Sequence, residues 1–143
     1  MADPIRPLPP PEERELGLAA YLTATPGIGG RLRSEPEDFQ VVELGDGPAR
    51  FDEGPYTAAR IRLRNWETNR FAGTAARMLG IAREQVAFAG MKDKRAVTEQ
   101  WFSFKCGVAD LDKLATLADV EVLERHATRK SHFAGAHEGN AFR

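Results

Sequence analysis

A chain of 143 residues with 42% hydrophobic and 29% charged side chains has enough apolar material for one domain with a real core, and does not call for a second. Twenty basic residues against twenty-one acidic ones leave a formal net charge of -1, which excludes a globally basic nucleic-acid binder, so attraction to a polyanion has to come from local patches. The single cysteine, Cys106, excludes an internal disulfide, and no apolar run is long enough to span a bilayer or reads as a secretory leader; a reducing, cytoplasmic setting without membrane contact is expected.

The opening stretch MADPIRPLPPPEE is proline-rich and short of large apolar side chains, so residues 1–15 are expected to form a flexible arm and residues 16–143 the folded part. A short helical turn is expected around Leu16 to Leu22, weakened by Gly17, before Pro26, Gly27, Gly29 and Gly30 impose irregular backbone. FQVVEL, Phe39 to Leu44, and YTAARIRLR, Tyr56 to Arg64, read as strands that can pair antiparallel across the connection GDGPARFDEGP. In the second strand Arg60, Arg62 and Arg64 alternate with Ala59, Ile61 and Leu63, so a period of two puts three guanidinium groups on one face. A solvated sheet face is the plain reading of that stripe, and a phosphate-facing one the sharper reading.

TNRFAGTAARMLG spaces Phe71, Ala75, Met78 and Leu79 along one helical face, with Thr68 or Asn69 as candidate N-cap and Gly80 as the residue that ends the helix. VAFAG reads as a buried strand, MKDKRAVT as a polar connection, and EQWFSFKC as a strand with Phe102, Phe104 and Cys106 on one side. An amphipathic helix around Leu111, Leu114 and Leu117, the strand VEVLERH, the basic loop ATRKSHFAG and a cut-off strand GNAFR complete the order. The pattern predicts an α+β domain with a mixed, largely antiparallel sheet, apparently truncated.

The stretch with the most chemistry is GMKDKRAVTEQ, where Asp93 lies among Lys92, Lys94 and Arg95 in a loop anchored by the strands on either side. On charge alone KDKR is a solvated turn. Its setting adds a second reading: an ionised aspartate is a nucleophile, and Thr98 and Gln100 supply a hydroxyl and an amide to orient it or a substrate. Cys106 reads as a small strand residue without chemistry. The spacings of His126, His132 and His137 match no standard zinc arrangement, so no metal site is expected. Trp66, Trp101 and the phenylalanines read as core unless a motif promotes one of them.

FAGMKDKRAVTEQW, Phe88 to Trp101, resembles the signature of the TruD family of tRNA pseudouridine synthases. Three more blocks agree with that family in order and spacing: PEDFQVVE from Pro36 to Glu43, TNRFAGTAARMLGI from Thr68 to Ile81, and GNAF from Gly139 to Phe142. The resemblance implies a pseudouridine synthase-like catalytic fold, isomerisation of uridine 13 in tRNA, Asp93 as the nucleophile, and no cofactor or metal. It also implies substrate-binding roles for Phe39 and Asn140, with Phe142 as a candidate for stacking on the target base; the residues themselves add Lys92, Thr98 and Gln100 as substrate-binding candidates. Whether the carboxylate attacks C1′ of the ribose or C6 of the base stays open at this level. Lys94, Arg95, Arg129 and Lys130, together with Lys92, are candidates for phosphate contact.

The loop before GNAF reads GAHE, less basic than the family pattern, which weakens the RNA surface there. The family's catalytic domain continues past GNAF, so this chain is expected to be the N-terminal part of an enzyme that is monomeric when full length. The rival expectation is an inactive RNA-binding fragment without a closed active site.

Overall fold

The computed structural model describes residues 8–21, 29–31 and 33–143, which divide into two units, Met1–Arg31 and Leu32–Arg143. In the first unit a single helical turn, α1, spans Pro11–Glu15. It lies earlier than the turn expected around Leu16 to Leu22, for a local reason: proline at the first helical position and Glu12 and Glu13 in the first turn suit a helix start, and Gly17 with φ 93° ends it. Residue 22 lies outside the described residues. Tyr21 donates its hydroxyl to Glu13 at 2.7 Å.

The second unit is built on a six-stranded mixed sheet. Its strands are β1 (Gln40–Leu44), β2 (Tyr56–Arg64), β3 (Val86–Phe88), β4 (Val97–Phe104), β5 (Val120–Thr128) and β6 (Gly139–Phe142). The spatial order is β5-β2-β4-β1-β6, with β3 paired to β4. All pairings are antiparallel except β1 with β4, where Gln40 stands opposite Val97 and Val42 opposite Glu99. The α+β class and the largely antiparallel sheet are as expected, but β1 and β2 are not neighbours, because β4 lies between them.

The connection explains that correction. Tight hairpins use two to five residues, and GDGPARFDEGP is long enough to leave the strand pair and run across the sheet. It is pinned on the way: Trp101 donates Nε1 to the Gly45 carbonyl at 3.3 Å, His126 Nε2 meets the Pro48 carbonyl at 2.8 Å, and Phe51 bridges Ala127 of β5. Gly47, at φ 68°, lies so close over the Trp101 ring that a Cβ there would sit 2.3 Å from it.

Helix α2, Thr68–Leu79, covers one face of the sheet. Its cap is Glu67, one residue before the candidates Thr68 and Asn69; the Glu67 carboxylate accepts from the Asn69 and Arg70 amides at 2.9 and 2.7 Å. Gly80 ends the helix in the left-handed conformation at φ 69°, as the sequence suggests. The apolar stripe Phe71, Ala72, Ala75 and Leu79 packs on Ala59, Ile61 and Leu63 of β2 and on Phe102 and Phe104 of β4. Phe71 meets Phe102 edge-on at 5.0 Å between ring centroids.

The leucines at 111, 114 and 117 sit on a 3-10 helix, Val108–Thr116, and its end, and not on the α-helix expected there. Their spacing of three residues is the reason: it holds one face only at three residues per turn, and Leu111 and Leu114 are fully buried on that face. Cys106 lies just beyond β4, partly buried against the core, where desolvation raises its thiol pKa.

The arginine stripe of β2 alternates as predicted, and carboxylates occupy it. Arg62 meets Glu99 at 2.8 Å and Glu121 at 2.6 Å, Arg60 meets Glu99 at 3.8 Å, and Arg64 pairs with Glu37 and Asp119. The stripe is thus an ion-paired sheet face, in line with the plainer reading.

Candidate active site

β4 serves two purposes along one face. Towards its C-terminal end Phe102 and Phe104 enter the core, while towards its start Thr98 and Gln100, on the same side by the period of two, underlie the loop from Ala89 to Ala96 that carries Asp93. β1 and β6 extend that face: Val41 stands opposite both Thr98 and Phe142, and Glu43 stands opposite Asn140. Phe142, Asn140, Glu43, Thr98 and Gln100 therefore line one side of the sheet, beneath or beside the Asp93 loop.

The loop is tied down before it reaches the aspartate. Gly135 donates its amide to the Ala89 carbonyl at 2.8 Å, Gln100 donates its side-chain amide to the Gly90 carbonyl at 3.2 Å, and Lys92 donates its backbone amide to the Thr68 hydroxyl at 2.9 Å. Gln100 is fully buried, and its amide oxygen faces the Thr68 hydroxyl at 3.4 Å, so both ends of the amide are used inside the protein. Thr98 is 1% exposed, with a buried hydroxyl that has no hydrogen-bond partner among the described residues. Neither side chain faces solvent; Gln100 buttresses the loop.

Asp93 itself is open, its side chain 56% exposed. Its cationic partner among the described residues is Arg33, whose Nη1 stands 3.2 Å from Oδ2. Of the cations beside it in sequence, Lys94 and Arg95 are exposed and form no ion pair with it among the described residues, and Lys92 reaches inward. The Arg33 guanidinium also lies 3.9 Å over the centre of the Phe39 ring, and Phe39 stacks on Phe142 at 6.0 Å with 19° between planes. Asp93, Arg33, Phe39 and Phe142 thus form a continuous series of contacts. Phe142 keeps 64% of its surface exposed, and the Asn140 side-chain oxygen is buried without a partner among the described residues. An open carboxylate linked through Arg33 and Phe39 to an exposed aromatic ring can receive a flat polar ring attached to a sugar.

Lys92 donates to Glu43 at 3.2 Å, with side chains 5% and 1% exposed. Glu43 also accepts from the Trp101 backbone amide at 3.2 Å, and His132 Nε2 approaches it at 3.8 Å. Burial pushes the Glu43 carboxyl up, but His132, the Trp101 amide and Lys92 together outweigh it and hold the group below its ordinary value. A carboxyl lowered in the folded state contributes stability that is complete above the unfolded value and is lost as pH falls through the folded one. Glu43→Gln is therefore expected to flatten the acid limb of a urea-stability curve measured from neutrality downwards. An acid limb as steep as that of the parent would show that Glu43 is not among the groups that set it.

The sequence reading missed Arg33, Glu43 and His132 as members of this site. Glu43 was detectable, because it shares a strand face with buried Val41, and a carboxylate on such a face needs a partner. Arg33 lies in irregular backbone, at φ 52°, far in sequence from Asp93. The histidines do not converge: His126 bonds the Pro48 carbonyl, and no group of three metal-ligating side chains is gathered among the described residues. Arg129 and Lys130 are exposed and line a largely apolar recess of about 450 Å³ together with Phe51 and Phe133, with Arg129 4.5 Å over the Phe51 ring. Arg95 and Lys94 border a second recess with Ser34 and Arg64. No described helix is long and apolar enough to cross a membrane.

Residues 15–143 match the family model described as tRNA pseudouridine synthase D (TruD). The chain belongs to the TruD family. It is 37% identical over 131 residues to the probable tRNA pseudouridine synthase D of Archaeoglobus fulgidus, covering 92% of this chain and 32% of that protein. It is 43% identical over 143 aligned positions to the Halobacterium salinarum relative of the same name, covering 92% of this chain and 31% of that one. The crystal structure assigned as TruD of Methanosarcina mazei superposes with a TM-score of 0.72 at 36% identity, over 90% of this chain and 29% of that one. The chain thus spans about a third of the length of the TruD relatives it matches.

Proposed function

We propose that this chain carries the nucleophile of a tRNA pseudouridine synthase that isomerises uridine 13, with Asp93 as that nucleophile. The observation that carries the reading is the Asp93 carboxylate, open to solvent yet held 3.2 Å from Arg33 and linked through it to the stacked Phe39 and Phe142. The reaction breaks the N1–C1′ bond, turns the uracil while it stays bound, joins C5 to C1′ and releases the C5 proton. It needs a nucleophile and a cage, with no net oxidation and hence no redox cofactor. Phe142 offers the base a stacking surface once the nucleotide has left the RNA stack, and the buried, unpartnered oxygen of Asn140 would accept from an N–H on the uracil edge once that side chain turns outward. The reading assigns tRNA as partner, a monomeric enzyme and a cytoplasmic setting.

The test is tritium release from tRNA transcripts labelled at C5 of uridine, with the protein as encoded in its genome. Release from a transcript with uridine 13, and none when that position is cytidine, is expected. Binding of tRNA without release would favour the inactive RNA-binding fragment instead.

Lys94, Arg95, Arg129 and Lys130 are exposed and join none of the ion pairs among the described residues, unlike the arginines of β2. As phosphate-binding groups they are expected to make tRNA affinity fall with salt, and replacing any one of them by methionine should flatten the log-log slope by roughly 0.7 to 0.9. Unchanged slopes in all four variants would assign these cations to solubility alone.

A further inference from the structure

A buried ion pair is poor evidence for stability, since desolvating two charges costs about as much as their attraction returns, and its best-attested use is to fix one arrangement of a structure. The Lys92–Glu43 pair is buried in this way, unlike the exposed pairs of Arg62 and Arg64, and it lies one residue before Asp93. Lys92 is held at both ends, by Thr68 at its backbone amide and by Glu43 at its ammonium. Glu43 joins more than the loop. Its carboxylate takes the Trp101 amide of β4, lies 3.8 Å from His132 in the segment leading to β6, and belongs to the β1 position that stands opposite Asn140. One carboxylate thus touches or registers the elements that carry the other groups of the site.

We infer that Glu43 is a positioning residue: through Lys92 it fixes where the Asp93 carboxylate stands relative to Asn140 and the Phe39–Phe142 stack. Lys92 is spent on that link and makes no phosphate contact. The inference rests on the proposed role of Asp93. Glu43 touches no reacting atom, so its loss acts by misplacing a nucleophile, and a displacement of about 1 Å costs on the order of 100-fold in rate.

The experiment measures single-turnover rates at saturating tRNA, and tRNA Kd separately, in the protein as encoded. Glu43→Gln and Lys92→Met are each expected to slow the reaction roughly 10- to 100-fold with Kd within about 3-fold, and Glu43→Asp, which keeps the charge, to recover part of the rate. The two losses should not add, because either cuts the same link. A lone charge left in the interior endangers folding, so the decisive variant is Glu43→Gln with Lys92→Met, which removes both charges while an amide oxygen can still accept from the Trp101 amide, and is expected to stay folded yet react slowly. A folded Glu43→Gln/Lys92→Met protein at the parental rate overturns the inference, as does a loss that appears only in Kd. Asp93→Asn separates the two levels: if it retains turnover, the proposed function fails, whereas an inert Asp93→Asn beside fully active Glu43 variants removes only the positioning role.

Discussion

Asp93→Asn is expected to abolish pseudouridine formation while leaving tRNA affinity within a few-fold of the parent. The amide keeps the shape of the carboxylate and can still face Arg33, so the loop and its anchors at Ala89, Gly90 and Lys92 have no reason to move. What disappears is the anionic oxygen to which the proposal gives the attack, and with it the route through a covalent intermediate. Loss of a group acting only in the chemical step lowers the rate and spares binding. The check is single-turnover tritium release beside a filter-binding isotherm. Turnover within about 10-fold of the parent would remove Asp93 from its role, and a parallel collapse of affinity would make it a binding residue.

The largest expected effect on stability is at Phe102. Its ring is fully buried and meets Phe71 at 5.0 Å, Phe88 at 5.7 Å and Phe104 at 6.0 Å, so it joins α2, β3 and β4 at one point. Phe102→Ala leaves a cavity that neighbours held by a sheet and a helix cannot fill, at a cost of about 3–5 kcal/mol. That is a large fraction of the roughly 5–15 kcal/mol by which a domain is stable. Urea unfolding at neutral pH should show the midpoint falling with an unchanged slope. A loss below about 1 kcal/mol would mean that α2 settles onto the sheet without this ring.

What could be read in the sequence divides along a physical line. Local patterns are legible: the period of two in β2, the apolar stripe and terminal glycine of α2, and the linear motifs that contain Phe39, Asp93, Asn140 and Phe142. Long-range pairing is not. Nothing in GDGPARFDEGP says that β4 will take the place beside β1, because that choice is made by residues far along the chain. For the same reason the lysines beside Asp93 look like its partners in sequence, whereas the three-dimensional partner is Arg33. The 3-10 helix is legible in principle, through leucines spaced by three, which an α-helical period misreads.

The place of β1 between β4 and β6 also bears on how the chain acquires its shape. β2, α2, β3, β4 and β5 follow one another closely and share one hydrophobic core, so they can condense from contacts of modest loop length. The pairing of β1 with β6, Val41 with Phe142, instead closes a loop longer than any pairing among those strands. Pairings of that kind form late in a folding transition, and changes to them speed unfolding more than they slow folding. The face with Asn140 and Phe142 is accordingly expected to be the last part to assemble and the first to open. In hydrogen exchange, the β1 and β6 amides should lose protection well before those of β2 and β4.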